Sequence, residues 1–319
     1  KPTDLDPGVP NYYASTYSEN GIYASILVKT REGRPIFIEG NKLSPITNGA
    51  IHTRAIASVL DLYSTERLTD PQIKGAKSDW KKVDTEIKSK LTEISNSGGK
   101  IALVSQTNLS PSFKKLKGEF KDKYSGVKEV IYDNASANGM RKANKAMFGK
   151  NMIPSYDFSK AKVIVGINAD FLGTWVSPVE FSNQYSRTRK LGKNKKDMSR
   201  HYQFESLMTL TGSNADYRSK IKPSQEGDLV KALYKAINGG GVSKEYKFLD
   251  KLVKDLNSVS GKSIIVCGSN DPNVQLIVNE INKSLGNYGK TIKTDVSLKT
   301  RMGEDKKMIE FIEGLNNGA

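Results

Sequence analysis

Three stretches carry residues whose types and placement could do chemistry. "VIVGINADFLGTW" sets Asn168, Ala169 and Asp170 after an apolar strand pattern, and "SIIVCGSNDP" sets Gly268, Ser269 and Asn270 after another. Strand ends in parallel sheets are where ligands sit, and a turn there can present backbone N–H groups to a phosphate at a helix start. Neither stretch has the G-x-G-x-x-G or Walker spacing, so each also reads as an ordinary strand-to-helix turn. "QFESLMTL" sets Glu205 near a strand end, where a carboxylate can accept from a ribose hydroxyl or simply face solvent.

Other chemistries lack their residues. Cys267 is the only cysteine, which excludes an internal disulfide and any cluster or zinc site built from several cysteines of this chain. His52 and His201 are the only histidines, which excludes a multi-histidine metal site. Cys267 ends an apolar run and reads as a small buried hydrophobe rather than a nucleophile. His201 has no catalytic motif around it, and no carboxylate pair stands out for acid–base work. The basic run Arg187–His201 contains no aromatic residue; Tyr185 and Tyr202 only flank it, so nucleic acid is not expected as a partner.

The elements that must position these residues follow from periodicity. With 319 residues, 37% of them hydrophobic, the chain can bury about two domains' worth of core. Residues 1–75 are turn-rich, with "ASILVKT" and "RPIFIEG" flanking the turn "REG" as a hairpin and "TRAIASVLDLYS" spaced as a helix. Residues 76–240 alternate strand and helix patterns, and so do residues 241–319. That alternation predicts an α/β fold with parallel sheets covered on both faces. The final helix pattern ends where another strand is due, so the second α/β unit is expected to be cut short. The first residue is Lys1 rather than Met, which suggests a processed form or a fragment. No run reaches the roughly 18 apolar residues of a membrane span. Lysine plus arginine number 50 against 34 acids, a net charge of +16, which fits either an anionic partner or solvated helix faces.

"PGVPNYYAST", "ILVKTREGRPIFIEGNKLSPITNGA", "YDFSKAKVIVGINADFLGTWVSPVEF", "HYQFESLMTLTGSNADYR" and "LGNYGKT", in that order, resemble the molybdopterin oxidoreductase family. They are most similar to its cofactor-free branch, the large iron–sulfur subunit of bacterial alternative complex III. The resemblance implies the family's fold, a small β-rich region ahead of dinucleotide-binding-like α/β domains. It puts three lost cluster ligands at Tyr17, Asn20 and Ala24 and the fourth at His52, within "GAIHTRA". Arg54 matches the family's basic residue between cluster and pterin. In the pterin region Glu205, Thr211, Ala215 and Asp216 keep the pattern, while Leu207 stands where an arginine is usual. For the family's metal ligand there is no cysteine in the first α/β region, and Ser136 is the candidate serine.

The resemblance therefore implies a scaffold with no cofactor in this segment. Iron–sulfur clusters would lie further along the polypeptide. The partners would be haem c subunits and quinol-binding membrane subunits, on the periplasmic side of the cytoplasmic membrane. Two rivals stand beside it: a working molybdopterin-dependent oxidoreductase without the N-terminal cluster, and a basic α/β protein that binds nucleotides or nucleic acid.

Overall fold

The computed structural model describes residues 6–193 and 195–317. It opens with an antiparallel meander, β1 (Asn11–Glu19), β2 (Ile22–Arg31) and β3 (Arg34–Gly40). The expected hairpin is β2–β3. The polar stretch before it is also a strand, paired along its length with β2. Its signal is the Asn20-Gly21 turn. Both residues have positive φ (49° and 77°), as do Glu32 and Gly33 (50° and 79°). Two-residue turns of this hand match the twist of the strands they join. One face of the meander buries Ile22, Ala24, Ile26 and Ile38 against Val59 and Val179.

The helix expected after it is broken. α1 covers Thr53–Ala57, and Ser58–Leu62 tightens into a 3-10 turn. The Ser58 hydroxyl donates back to the Ala55 carbonyl at 2.8 Å, a bond that competes with the helical ladder. A minimal hairpin follows, β4 (Gln72–Ile73) and β5 (Ala76–Lys77).

Next come α2 (Trp80–Asn96), β6 (Ile101–Ser105), α3 (Pro111–Lys123) and β7 (Val127–Ile131). Ser110 caps α3 by accepting from the Phe113 amide, with Pro111 at the first helical position as its missing N–H allows. β6 and β7 pair in parallel with each other and form their own small sheet.

Then follow α4 (Asn138–Phe148), β8 (Ile153–Tyr156), β9 (Val163–Ile167), α5 (Pro178–Arg189), β10 (Arg200–Glu205), α6 (Leu210–Ser213), β11 (Tyr217–Lys220), α7 (Glu226–Ile237), α8 (Leu249–Asn257), β12 (Ser263–Cys267) and α9 (Pro272–Ser284). The main sheet has the order β11-β10-β9-β12, all parallel. The sheet is continuous across the boundary expected at residue 241, because β12 pairs directly with β9. β13 (Ile292–Leu298) pairs antiparallel with β8 instead of extending the sheet, and α10 (Asp305–Asn316) follows.

The strands β9 and β12 are buried on both faces, which explains their unbroken apolar runs. Val163, Val165, Ile167, Ile265 and Cys267 face α7, α8 and α9, while Ile164, Ile264 and Val266 face an aromatic layer of Phe158, Phe171 and Phe181. The pattern "HYQFESLMTL" stops as a strand at Glu205, and Leu210 already begins α6.

Candidate functional site: a cleft at the switch point of the main sheet

β9 is followed in sequence by β10 on one side, whereas β12 lies on its other side. The chain reverses its winding there, and the carboxyl ends of β9, β10 and β12 open into a cleft of about 900 Å³. Its floor is held at close range. A Cβ on Gly268 would lie 2.1 Å from the Asn168 carbonyl oxygen, so only glycine lets the ends of β9 and β12 meet. Asn168 takes a left-handed backbone (φ 47°). Its side chain accepts from the Ser206 amide at 3.0 Å and donates to Glu226 Oε2 at 2.8 Å, linking β9, β10 and α7.

The polar groups around the cleft mostly satisfy each other. Asp170 Oδ1 accepts from the Thr211 amide (3.1 Å) and hydroxyl (2.7 Å), which docks α6 against the loop after β9. At the start of α4 the Asn138 amide donates to Ser136 Oγ at 3.0 Å and the Gly139 amide to Asn270 Oδ1 at 2.8 Å. Ser136 Oγ and Asn270 Nδ2 both donate to Asp305 Oδ2, at 3.0 and 2.8 Å, which fixes α10 as one wall. The rim beyond is apolar, with Leu207, Ile309 and Ile312 exposed at 79%, 55% and 46%.

Glu205 lies on the floor and is almost fully buried. Arg218 Nε on β11 donates to it at 2.6 Å, the Thr209 hydroxyl at 2.7 Å and Gln203 Nε2 at 3.2 Å. Burial pushes the carboxyl up, but the bonds from Arg218, Thr209 and Gln203 outweigh it and hold the group below the usual carboxylate range. Glu205 is thus an ionised, internally paired carboxylate, and Leu207 makes no part of that pairing. Arg218 does, a role that no local motif in "ADYR" signals. Cys267 is buried at the end of β12, and burial pushes its thiol up, away from thiolate reactivity.

Thr211 joins the cleft wall through Asp170, whereas Asp216 does not reach it. Asp216 precedes β11 at the amino end of the sheet. It takes the Arg189 guanidinium on both oxygens (2.6 and 2.8 Å) and the His201 amide at 2.8 Å. The pair from Glu205 to Asp216 is therefore split between opposite ends of the strands.

The positions aligned with cluster ligands lie in the meander. Tyr17 and Ala24 are direct cross-strand partners, and Asn20 sits in the turn between them. Ala24 is fully buried among Ile22, Ile26 and Ile38, with Tyr17 packed on the same cluster. The Tyr17 hydroxyl bonds Glu19, and burial and that carboxylate push its pKa up to about 12. His52 caps α1, its Nδ1 accepting from the Arg54 amide at 3.2 Å. Burial and then Arg54 hold its imidazole below the usual value. Arg54 itself is exposed. A phenol, an amide, a methyl group and an imidazole do not fit an iron–sulfur cluster, which needs several thiolate-type ligands. Among the described residues no group of three or more His, Cys, Asp or Glu is placed to hold a metal ion.

The cleft has the place and size for a nucleotide-like group, although the first amides of α4 are already committed to Ser136 and Asn270. The meander and the cleft are nevertheless joined. Arg301, buried in the cleft wall, donates to the Ala135 and Thr174 carbonyls at 2.8 and 2.5 Å. A Cβ on Gly21 would fall 2.9 Å from its Nε.

No protein-family model matches the sequence, and no curated protein matches it. Among solved structures, acetylene hydratase from Pelobacter acetylenicus superposes with a TM-score of 0.50 over 88% of this chain at 11% identity. The mixed α/β fold, a small antiparallel sheet ahead of parallel sheets, is thus similar to that of the hydratase. At that identity the likeness concerns fold alone. The formyltransferase/hydrolase complex of Methylorubrum extorquens gives a TM-score of 0.42 at 10% identity over 64% of the chain. The present chain spans 42% of the hydratase chain and 55% of the formyltransferase/hydrolase chain, about half of each.

Proposed function

We propose that this chain is a non-catalytic scaffold of the molybdopterin-oxidoreductase fold, a portion of the large subunit of a quinol-oxidising assembly of the alternative-complex-III kind. The observation that carries this reading is the fate of the inherited positions. Ala24 and Tyr17 are packed into the meander core, Asn20 makes a turn, His52 caps a helix, and Glu205 is bound to Arg218. Each of these side chains has a packing, turn, capping or ion-pairing role, which supports reading them as structural rather than as ligands.

In this reading the chain positions redox-active parts without conducting electrons itself. Those parts are iron–sulfur clusters elsewhere on the polypeptide, haem c subunits and quinol-binding membrane subunits on the periplasmic side. The rival enzyme reading keeps the cleft as a working pterin site. Elemental analysis of the purified chain separates the two. Iron, molybdenum and tungsten far below one atom per chain are expected, and a stoichiometric signal for any of them would overturn the scaffold reading.

A further inference from the structure

The basic run has no part in the cleft. It forms the connection from α5 to β10, at the amino end of the main sheet. Its base is clamped by Thr188 Oγ1 against Ser199 Oγ at 2.8 Å and by the Ser199 amide donating to the Thr188 carbonyl at 3.3 Å. Gly192 and Lys195 exchange backbone bonds at 3.1 and 3.2 Å. The loop is therefore shaped by its own hydrogen bonds.

Its charge is offset within the loop only by Asp197, and the Lys195 ammonium also donates to the Arg187 carbonyl. Lys190, Lys193, Lys195 and Lys196 are all exposed, and among the described residues no carboxylate lies within ion-pair distance of any of them. The two buttressing acids nearby are already taken. Asp216 is held by Arg189, and Asp255 by Arg200 at 2.7 Å and by the Tyr202 hydroxyl. Lys195 and Lys196 also border a recess of about 700 Å³ lined as well by Lys162 and by Lys160, which pairs with Asp157.

Two large apolar side chains stand out among these cations. Leu191 is 54% exposed and Met198 49% exposed, one on each arm of the loop. A surface built only to hold a soluble polyanion gains nothing from them, and single-stranded nucleic acid would call for aromatic stacking instead. Lysines interleaved with exposed apolar residues are the pattern of a membrane-surface contact. There the apolar groups enter the headgroup layer, and the flexible lysine stems carry their ammonium groups to the lipid phosphates.

We propose that the Lys190–Met198 loop docks the chain on an anionic lipid surface, with Leu191 and Met198 inserted and the four lysines on phosphate. The inference rests on the loop alone and stands whether or not the scaffold reading holds.

Vesicle flotation tests it. The chain should float with phosphatidylcholine vesicles containing about one-third phosphatidylglycerol, stay down with phosphatidylcholine alone, and release as salt rises. Replacing Lys190, Lys193, Lys195 and Lys196 together by Gln should weaken partitioning by roughly five-fold per lysine, at least about 100-fold in all. Replacing Lys81, Lys82, Lys88 and Lys90 of α2 by Gln removes the same charge elsewhere and should change it by less than about three-fold. The pair Leu191→Ser and Met198→Ser should weaken it at constant charge. Equal losses from the two lysine variants would show that diffuse net charge does the binding and would sink the proposal. So would saturable binding of pyrophosphate, or of a short oligonucleotide, by a chain that anionic vesicles fail to float.

Discussion

His201 should make the protein lose stability between neutral and mildly acidic pH. The imidazole is fully buried on β10, against the Phe171 ring. Its Nε2 lies 3.3 Å from Gln203 Oε1, which places the proton of the neutral ring on Nε2, and its Nδ1 lies 3.1 Å from the Tyr185 hydroxyl, whose one proton is shared between Nδ1 and the Asn214 carbonyl at 2.9 Å. Burial drives its pKa down from 6.5 to about 4, with Arg189 acting in the same direction and Gln203, Asp216 and Glu205 opposing. The native ring stays neutral while the unfolded chain takes up a proton below about pH 6.5, so the unfolded state binds more protons in that window. Stability is therefore intact above about pH 6.5, falls as pH drops, and stops falling from this source once the native ring protonates near pH 4. The full difference is about 3 kcal/mol, of which about 2 kcal/mol is lost by pH 5.

The variant His201→Gln removes the titration and keeps a polar group toward Tyr185 and Gln203. It should be less stable than the parent at pH 8, and the gap should narrow by about 2 kcal/mol by pH 5. Urea denaturation of both proteins across that range measures it, and effects of shared carboxylates cancel in the difference. A gap that stays constant with pH, or a ring resonance of His201 titrating near its unperturbed value, would refute the reasoning.

Three further outcomes follow from the packing. Arg218→Ala strands Glu205 as a buried carboxylate without its cation and should cost about 3 kcal/mol in urea unfolding, with Arg218→Lys recovering part; a loss below about 1 kcal/mol would mean that Thr209 and Gln203 suffice. Gly268→Ala forces the ends of β9 and β12 apart and should cost about 2 kcal/mol or more, whereas Gly118→Ala, in open space on α3, should stabilise by about 0.5–1 kcal/mol. The two thermal midpoints should move in opposite directions. Ala24→Leu overfills the meander core and should cost about 1–3 kcal/mol; an unchanged midpoint would reveal room at that position.

The sequence by itself determined the class of fold. Two-sided burial requires unbroken apolar runs, so "VIVGI" and "SIIVC" were legible as central parallel strands, and Ser110-Pro111 marked the start of α3. It also determined which metal chemistry is out of reach, because one cysteine and two histidines cannot assemble a multi-thiolate or multi-histidine site however the chain folds. Local pattern was silent on β1, whose alternation is weak because most of the strand is exposed. Only the tertiary structure decided partnerships. Strand order places β12 beside β9 and so brings Gly268 to Asn168, a contact between residues 100 positions apart. The direction of β11 sends Arg218 to Glu205 and leaves Asp216 at the other end of the sheet. Spacing along a chain fixes which side chains share a face. Which faces meet, and whether an acid there is free or already paired, is set by long-range packing that no local window contains.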